Sequence, residues 1–225
     1  SNKYFFDFKG DLFSAYRELR KNNPSPYHYF LKFGERIVAG ASPENFCSIR
    51  SKRVYTYPIA GTKPRGATIL QDSALAKELR EDEKEKAEHL MLVDLARNDV
   101  GRISKPGSVS VTSFMKLKKF STVQHLVSRV EGRLAQGESI ASVFNSLFPA
   151  GTVSGAPKKR ACELIYELEE TGRNPYAGAV GLFGFNGFCE QALCIRSFFC
   201  YKNAGFAQAG AGIVLDSVPA NEHAE

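Results

Sequence analysis

Apolar and polar residues alternate over short stretches through much of this chain and recur at helical spacing in only a few. Tyr27–Phe33, Ile37–Ala39, Phe46–Arg50 and Val54–Ile59 read as strands of a meander. Val109–Phe114 and Val123–Val130 return to strand, and Ala177–Phe185, Gln191–Cys200 and Phe206–Val214 follow as three more. Asp11 to Arg20 reads as a short helix closed by the turn-forming run Asn22-Asn23-Pro24-Ser25-Pro26. Asp72 is placed to cap a long helix reaching about Asn98. Ser139–Leu147 is helical, and Pro157 suits the first turn of a helix over 158–170, with Leu164 and Leu168 on its inner face. A last helix starts near Pro219. Strands come in groups separated by helices, which favours an α+β fold over a doubly wound sheet. Strand-like sequence opens at Ser1-Asn2-Lys3-Tyr4 and Glu225 stops inside a helix, so strands are expected to be missing at the front and a helix at the back.

Composition narrows the class. A length of 225 residues with 43% hydrophobic usage is enough for one large domain with a real core, and no repeat or linker divides it, so 1–225 reads as a single domain. No apolar run is long enough to span a bilayer, so no membrane partner is expected; no basic-then-apolar segment opens the chain, which lacks an initiator Met and so leaves a removed leader open. Five cysteines, Cys47, Cys162, Cys189, Cys194 and Cys200, are an odd set without a C-x-x-C pair, which reads as reduced thiols in a cytoplasmic protein. The net charge of +6 is spread out, its densest cluster being Lys116-Leu-Lys-Lys119. That argues against nucleic acid and is compatible with a small anionic substrate.

Two Glu-x-x-Glu pairs carry the most chemistry, Glu85/Glu88 and Glu222/Glu225. A spacing of three puts both carboxylates of a pair on one helix face. Glu85, Glu88, Leu92 and Leu95 share one stripe, so the first pair runs into apolar territory, where a carboxylate needs a cation or metal. Two such pairs facing each other would suit a hard divalent cation such as Mg²⁺; a solvated helix face is the alternative. Ala150-Gly-Thr-Val-Ser-Gly-Ala-Pro-Lys158 is a small-residue loop entering a helix, either a capping turn or an anion-binding loop, with Thr152 adding a hydroxyl. Arg196 sits in a strand otherwise filled by apolar residues, where it either meets a carboxylate or faces solvent. His125 alternates with apolar neighbours, Glu44 follows Ser42-Pro43 at a turn, and Gln208–Val214 is a strand lacking bulk at four successive positions.

In their joint order these segments resemble the chorismate-utilising enzymes across nearly the whole chain. The matching stretches are NPSPY (23–27), GASPE (40–44), PIAGTKPRG (58–66), EKAEHLMLVDLARND (85–99), VQHLVS (123–128), PAGTVSGAPK (149–158), YAGAVG (176–181), IR (195–196) and AGAGIV followed by DS and P (209–219). The resemblance implies a layered αββα sandwich with the active site between its sheets, here without the entry strands and the terminal helix. It implies direct Mg²⁺ ligation by Glu88 and Glu225, with Glu85 and Glu222 assisting through water. It places the enolpyruvyl carboxylate of chorismate on Tyr176, Arg196 and the backbone N–H groups of Gly210, Ala211 and Gly212. Thr152 would lie near the ring carboxylate, Glu44 would protonate the departing C4 hydroxyl, and His125 would act in pyruvate elimination.

Within that family the residues most resemble anthranilate synthase component I, an enzyme of tryptophan biosynthesis that takes ammonia from a glutamine amidotransferase subunit. Ala60 matches that form, where many aminodeoxychorismate synthases carry a nucleophilic Lys, and Asn23-Pro-Ser-Pro-Tyr27 also resembles it. Gln124 before His125 departs from it and is more like the isochorismate and salicylate enzymes. Aminodeoxychorismate synthase component I stays open as an alternative, then isochorismate or salicylate synthase, then a non-catalytic binding domain of the family.

Overall fold

A computed structural model describes residues 1–215 and 217–224. The stretch 1–225 packs as two compact units, one made of Ser1–Glu44, Tyr166–Val180 and Ala192–Glu225, the other of Asn45–Ile165 and Gly181–Gln191.

The first unit is built on a five-stranded sheet. Its strands are β1 (Asn2–Asp7), β2 (Tyr27–Phe33), β3 (Arg36–Ser42), β11 (Ser197–Tyr201) and β12 (Ala204–Ala209), in the order β1-β12-β11-β3-β2 and antiparallel throughout. Helix α1 (Leu12–Asn22) is capped by Asp11, which accepts from the Phe13 and Ser14 N–H groups, and it packs Phe13 and Tyr16 against Phe30 of β2. Pro219–Ala224 forms the short helix α7.

The second unit holds most of a sheet ordered β6-β8-β5-β4-β10-β9, from β4 (Asn45–Arg50), β5 (Arg53–Thr56), β6 (Ile59–Pro64), β8 (Val123–Arg133), β9 (Ala179–Phe183) and β10 (Cys189–Leu193). Strand β7 (Ser110–Lys119) also pairs with β8. Along β8, Gln124, Leu126, Ser128 and Val130 are buried while the residues between them are less so, the period-two signature of a strand covered on one face. Helices α2 (Ile69–Glu81) and α3 (Glu83–Gly101) cover that face, and α4 (Ile140–Leu147), the single turn α5 (Gly151–Ser154) and α6 (Lys158–Leu168) follow. Leu79, Val93, Val100, Leu126, Val130 and Val143 are buried at its centre.

The α+β class expected from the pattern holds, with antiparallel sheets and few helices. Several boundaries differ, and β7, expected over 109–114, runs on to Lys119. The long helix over 72–98 is two helices divided at Asp82, whose backbone N–H closes α2 on the Glu78 carbonyl while its side chain caps α3 at the Glu85 N–H. Thr68, not Asp72, caps α2; Asp72 is buried and carries ion pairs instead. Val54–Ile59 is two strands, broken where Pro58, which has no N–H to give, accepts from the Ser128 N–H. Gln191–Cys200 is also two strands, interrupted at 194–196, and the 206–214 strand ends at Ala209. Leu164 and Leu168, expected on an inner face, are 39% and 78% exposed. Apolar spacing marks a helix face but does not say which way the face points.

Candidate functional site

The second unit assembles four of the expected groups around α3. Its underside packs on β8: His89 is fully buried and its Nε2 lies 2.7 Å from Ser128 Oγ. Burial pushes the His89 imidazole down, so it stays neutral near pH 7. The flank of the helix carries Glu85, Glu88, Leu92 and Leu95, and both glutamates are half-buried. At one end of this stripe stands Gly61, the residue at the β-bulge between Ala60 and Thr62 on the edge strand β6. Its φ is +77°, and a Cβ placed on it would stand 3.1 Å from Glu85 Oε2. Only glycine takes that backbone conformation while leaving the carboxylate its room. At the other end, a Cβ on Gly151 would stand 2.5 Å from Leu95 Cδ2 and 3.6 Å from Leu92 Cδ2, so the α5 turn that bears Thr152 lies against the same stripe. Ten residues of helix, about 15 Å, separate Glu85 from Leu95 at the two ends.

The bulge also orients His125. Its Nδ1 is 3.1 Å from the Gly61 carbonyl oxygen and 3.1 Å from Thr62 Oγ1, and Phe120 packs edge-on against the ring. A carbonyl can only accept, so a proton on Nδ1 satisfies it and leaves Nε2 as the basic nitrogen. Gln124, one residue earlier, points to the opposite face of the sheet and donates to the Pro64 carbonyl at 3.3 Å. Its amide therefore belongs to the scaffold under α2, and the departure it represents in sequence is not on the His125 face.

The first unit holds the expected carboxylate-binding groups, some of them tied to one another through the backbone. Tyr176 is buried, and its hydroxyl would stand 3.5 Å from a Cβ on Gly210. Burial pushes its phenol up, with Arg173 opposing, so the hydroxyl stays a donor. The loop after Tyr176 is tied to the break before Arg196: Ala177 N–H donates to the Cys194 carbonyl at 3.0 Å and Cys194 N–H to the Gly178 carbonyl at 2.8 Å. Arg196 lies in that break and not within a strand; it is exposed, with φ of +50°. Its carbonyl accepts from the Ala41 N–H at 3.1 Å, which joins it to the end of β3. Glu44 follows β3, and its carbonyl accepts from the Leu193 N–H at 3.0 Å. Gly210, Ala211 and Gly212 leave β12 as exposed irregular backbone, not as strand. Glu222 sits in the first turn of α7, and Glu225 lies outside the described residues.

No three histidine, cysteine or acidic groups converge into a metal cage among the described residues. Glu85 and Glu88, one turn apart on one half-buried flank, supply hard carboxylate oxygens, and that donor chemistry fits Mg²⁺. Three residues that matter here were missed in the sequence. Gly61 reads only as part of an AGT run, and its bulge needs the partner strand to exist. Asp99 and Lys158 are 59 positions apart yet form a part-buried ion pair of 2.7 Å, and nothing local links them.

The model of the chorismate binding enzyme family matches residues 1–225. The chain belongs to that family. It is 52% identical over 220 residues to anthranilate synthase component 1 of Methanothermobacter marburgensis, covering 98% of this chain and 48% of that protein. It is 50% identical to the protein of the same name from Aquifex aeolicus over its whole length, which is 46% of that relative. Among solved structures, anthranilate synthase component I from Streptococcus pneumoniae TIGR4 superposes with a TM-score of 0.91 at 45% identity, covering 99% of this chain and 49% of that one. The menaquinone-specific isochorismate synthase of Escherichia coli superposes with a TM-score of 0.85 at 26% identity, covering 99% and 51%. The chain thus spans about half the length of the relatives it matches. Among the described residues no helix is long and apolar enough to cross a membrane.

Proposed function

We propose that the protein is the lyase component of an anthranilate synthase, converting chorismate and ammonia to anthranilate and pyruvate with Mg²⁺, in the cytoplasm. The observation that supports it most is the pairing of the His125–Gly61–Glu85 corner with Ala60 beside it on β6. Adding an amine at C4 of the ring by double displacement needs a protein nucleophile that first takes C2. Ala60 has none, so ammonia itself attacks C2, and the amine stays there.

Chorismate is a dianion with hydroxide as a poor leaving group. Glu88 and Glu225 would hold Mg²⁺, with Glu85 and Glu222 assisting; bound there, the ion supplies Lewis-acid withdrawal of charge through the ring carboxylate. Arg196, Tyr176 and the N–H groups of Gly210–Gly212 bind the enolpyruvyl carboxylate, and Thr152 orients the ring carboxylate. Glu44 gives a proton to the C4 oxygen as it leaves, so ammonia adds at C2 and water departs. His125, held by Gly61 through Nδ1, presents Nε2 to the C2 proton. Its removal carries electrons into the ring as pyruvate leaves, and the ring becomes aromatic. Ammonia would be delivered by a glutamine amidotransferase subunit, the partner that a "component 1" suggests.

The test is chromatography of products formed by the complete polypeptide from chorismate, Mg²⁺ and ammonium. Anthranilate is expected from the wild type. His125→Ala should let the aminated, pyruvyl-bearing intermediate accumulate, because elimination slows more than amination. A product aminated at C4 would overturn this reading in favour of the aminodeoxychorismate alternative.

A further inference from the structure

Residues 148–157 leave α4, form the turn that carries Thr152, and enter α6. Both ends of this segment are fastened to one point at the C-terminal end of α3. Lys158 Nζ donates to Asp99 Oδ2 at 2.7 Å and to the Leu147 carbonyl at 2.8 Å, so a single ammonium ties the residue before the segment to the residue after it. Ser146 Oγ donates to the Asp99 backbone carbonyl at 2.7 Å, a second tie from the same residue of α3. Asp99 is 4% exposed, and its other oxygen, Oδ1, is buried with no hydrogen-bond partner. A surface ion pair would hold little, whereas this one is shielded from water and its geometry is restrictive. Between these ties, Gly151 rests on Leu92 and Leu95, the continuation of the Glu85–Glu88 stripe.

We infer that Asp99 and Lys158 are positioning residues: they clamp the 148–157 segment so that Thr152 is held at a fixed place along the α3 flank that bears Glu85 and Glu88. Neither touches substrate. They act through the segment, and removing the clamp displaces Thr152 without altering its chemistry. This inference rests on the chorismate reading only where it uses turnover.

Two readouts test it in the complete polypeptide. The first is amide hydrogen exchange. In Lys158→Met, exchange across 149–157 should rise at least about 10-fold while α3 and β8 keep their protection. Because that variant strands a buried carboxylate, Asp99→Asn/Lys158→Met, which removes both charges, is measured beside it and should loosen the same segment. Lys158→Arg keeps the cation and should restore most of the protection. The second is kinetic. Lys158→Met should lower kcat/KM for chorismate by roughly 10- to 100-fold, the scale of a misplaced contact group. In a Thr152→Val background the same change should cost less than about 3-fold, because the clamp acts through Thr152. Unchanged exchange at 149–157, exchange that rises equally throughout the unit, or fully additive kinetic effects would each overturn the clamp. If the wild type does not turn over chorismate, the proposed function fails, and the exchange pattern alone then decides the clamp.

Discussion

The two units place their candidate groups in opposite ways. In the second unit they sit on regular elements: Glu85 and Glu88 on α3, His125 within β8, and Thr152 in a helical turn packed on α3. In the first unit they sit where regular structure stops. Arg196 occupies the break between β10 and β11, Glu44 follows β3, and Gly210–Gly212 follow β12. Ala177 and Arg196 both have positive φ, at +62° and +50°, which costs a non-glycine residue something and persists only where neighbours enforce it. Regular elements fix a carboxylate or an imidazole by burial of the opposite face. Breaks in strands free backbone N–H groups and long side chains to meet an anion.

The sharpest way to break this contrast is at Glu88. Glu88→Gln keeps the volume and the helix but removes a proposed metal ligand, so turnover should fall by roughly 10³-fold or more with the fold intact. The check is the steady-state rate against Mg²⁺ concentration beside a thermal melt; full activity of the variant in EDTA would falsify the ligand assignment. Next comes Arg196. Its loss should weaken chorismate binding by about 2–5 kcal/mol, and Arg196→Lys should also be poor because it lacks the planar fork. Titration calorimetry decides it, and unchanged affinity in Arg196→Ala refutes the role. Since the residue is exposed, its melting temperature should hardly move, unlike that of a scaffold variant.

Gly61→Ala probes the regular unit where it bends. The left-handed backbone costs an alanine about 1–2 kcal/mol, and its methyl would crowd Glu85. A fall of several degrees in Tm should accompany a raised Mg²⁺ requirement. A melt and metal titration both equal to wild type would show that the bulge is not what places Glu85.

The smallest expected effect is at Asp72, a pure scaffold group. Arg65, and after it Lys119, hold its carboxyl well below the usual carboxylate range, while burial opposes them. A depressed native pKa supplies stability above the unfolded value near 3.9, and that stability is lost as pH falls through the lower native value. Asp72→Asn should therefore flatten the acid limb of stability below about pH 4 while activity near neutrality changes little. An acid limb identical to wild type would place the charge network outside the stability of this unit.

What was legible in sequence follows side-chain period in both units. The meander of β2 to β4, the alternation along β8 and the helical flank of Glu85 and Glu88 follow from side-chain period, a property of neighbouring residues. The misread boundaries at 54–59, 191–200 and 206–214 fall where an apolar run continues although the ladder does not. Local pattern records what could be buried, and only partners decide whether it is. The chain by itself determined the α+β class, the helical spacing of Glu85 and Glu88 and the ordered motifs that mark the family. Tertiary structure alone decided the bulge at Gly61, the outward face of Leu164 and Leu168, the opposite faces taken by Gln124 and His125 against their neighbours, and the Asp99–Lys158 pair. Each depends on which distant backbone arrives beside it, and spacing along a chain carries no term for that.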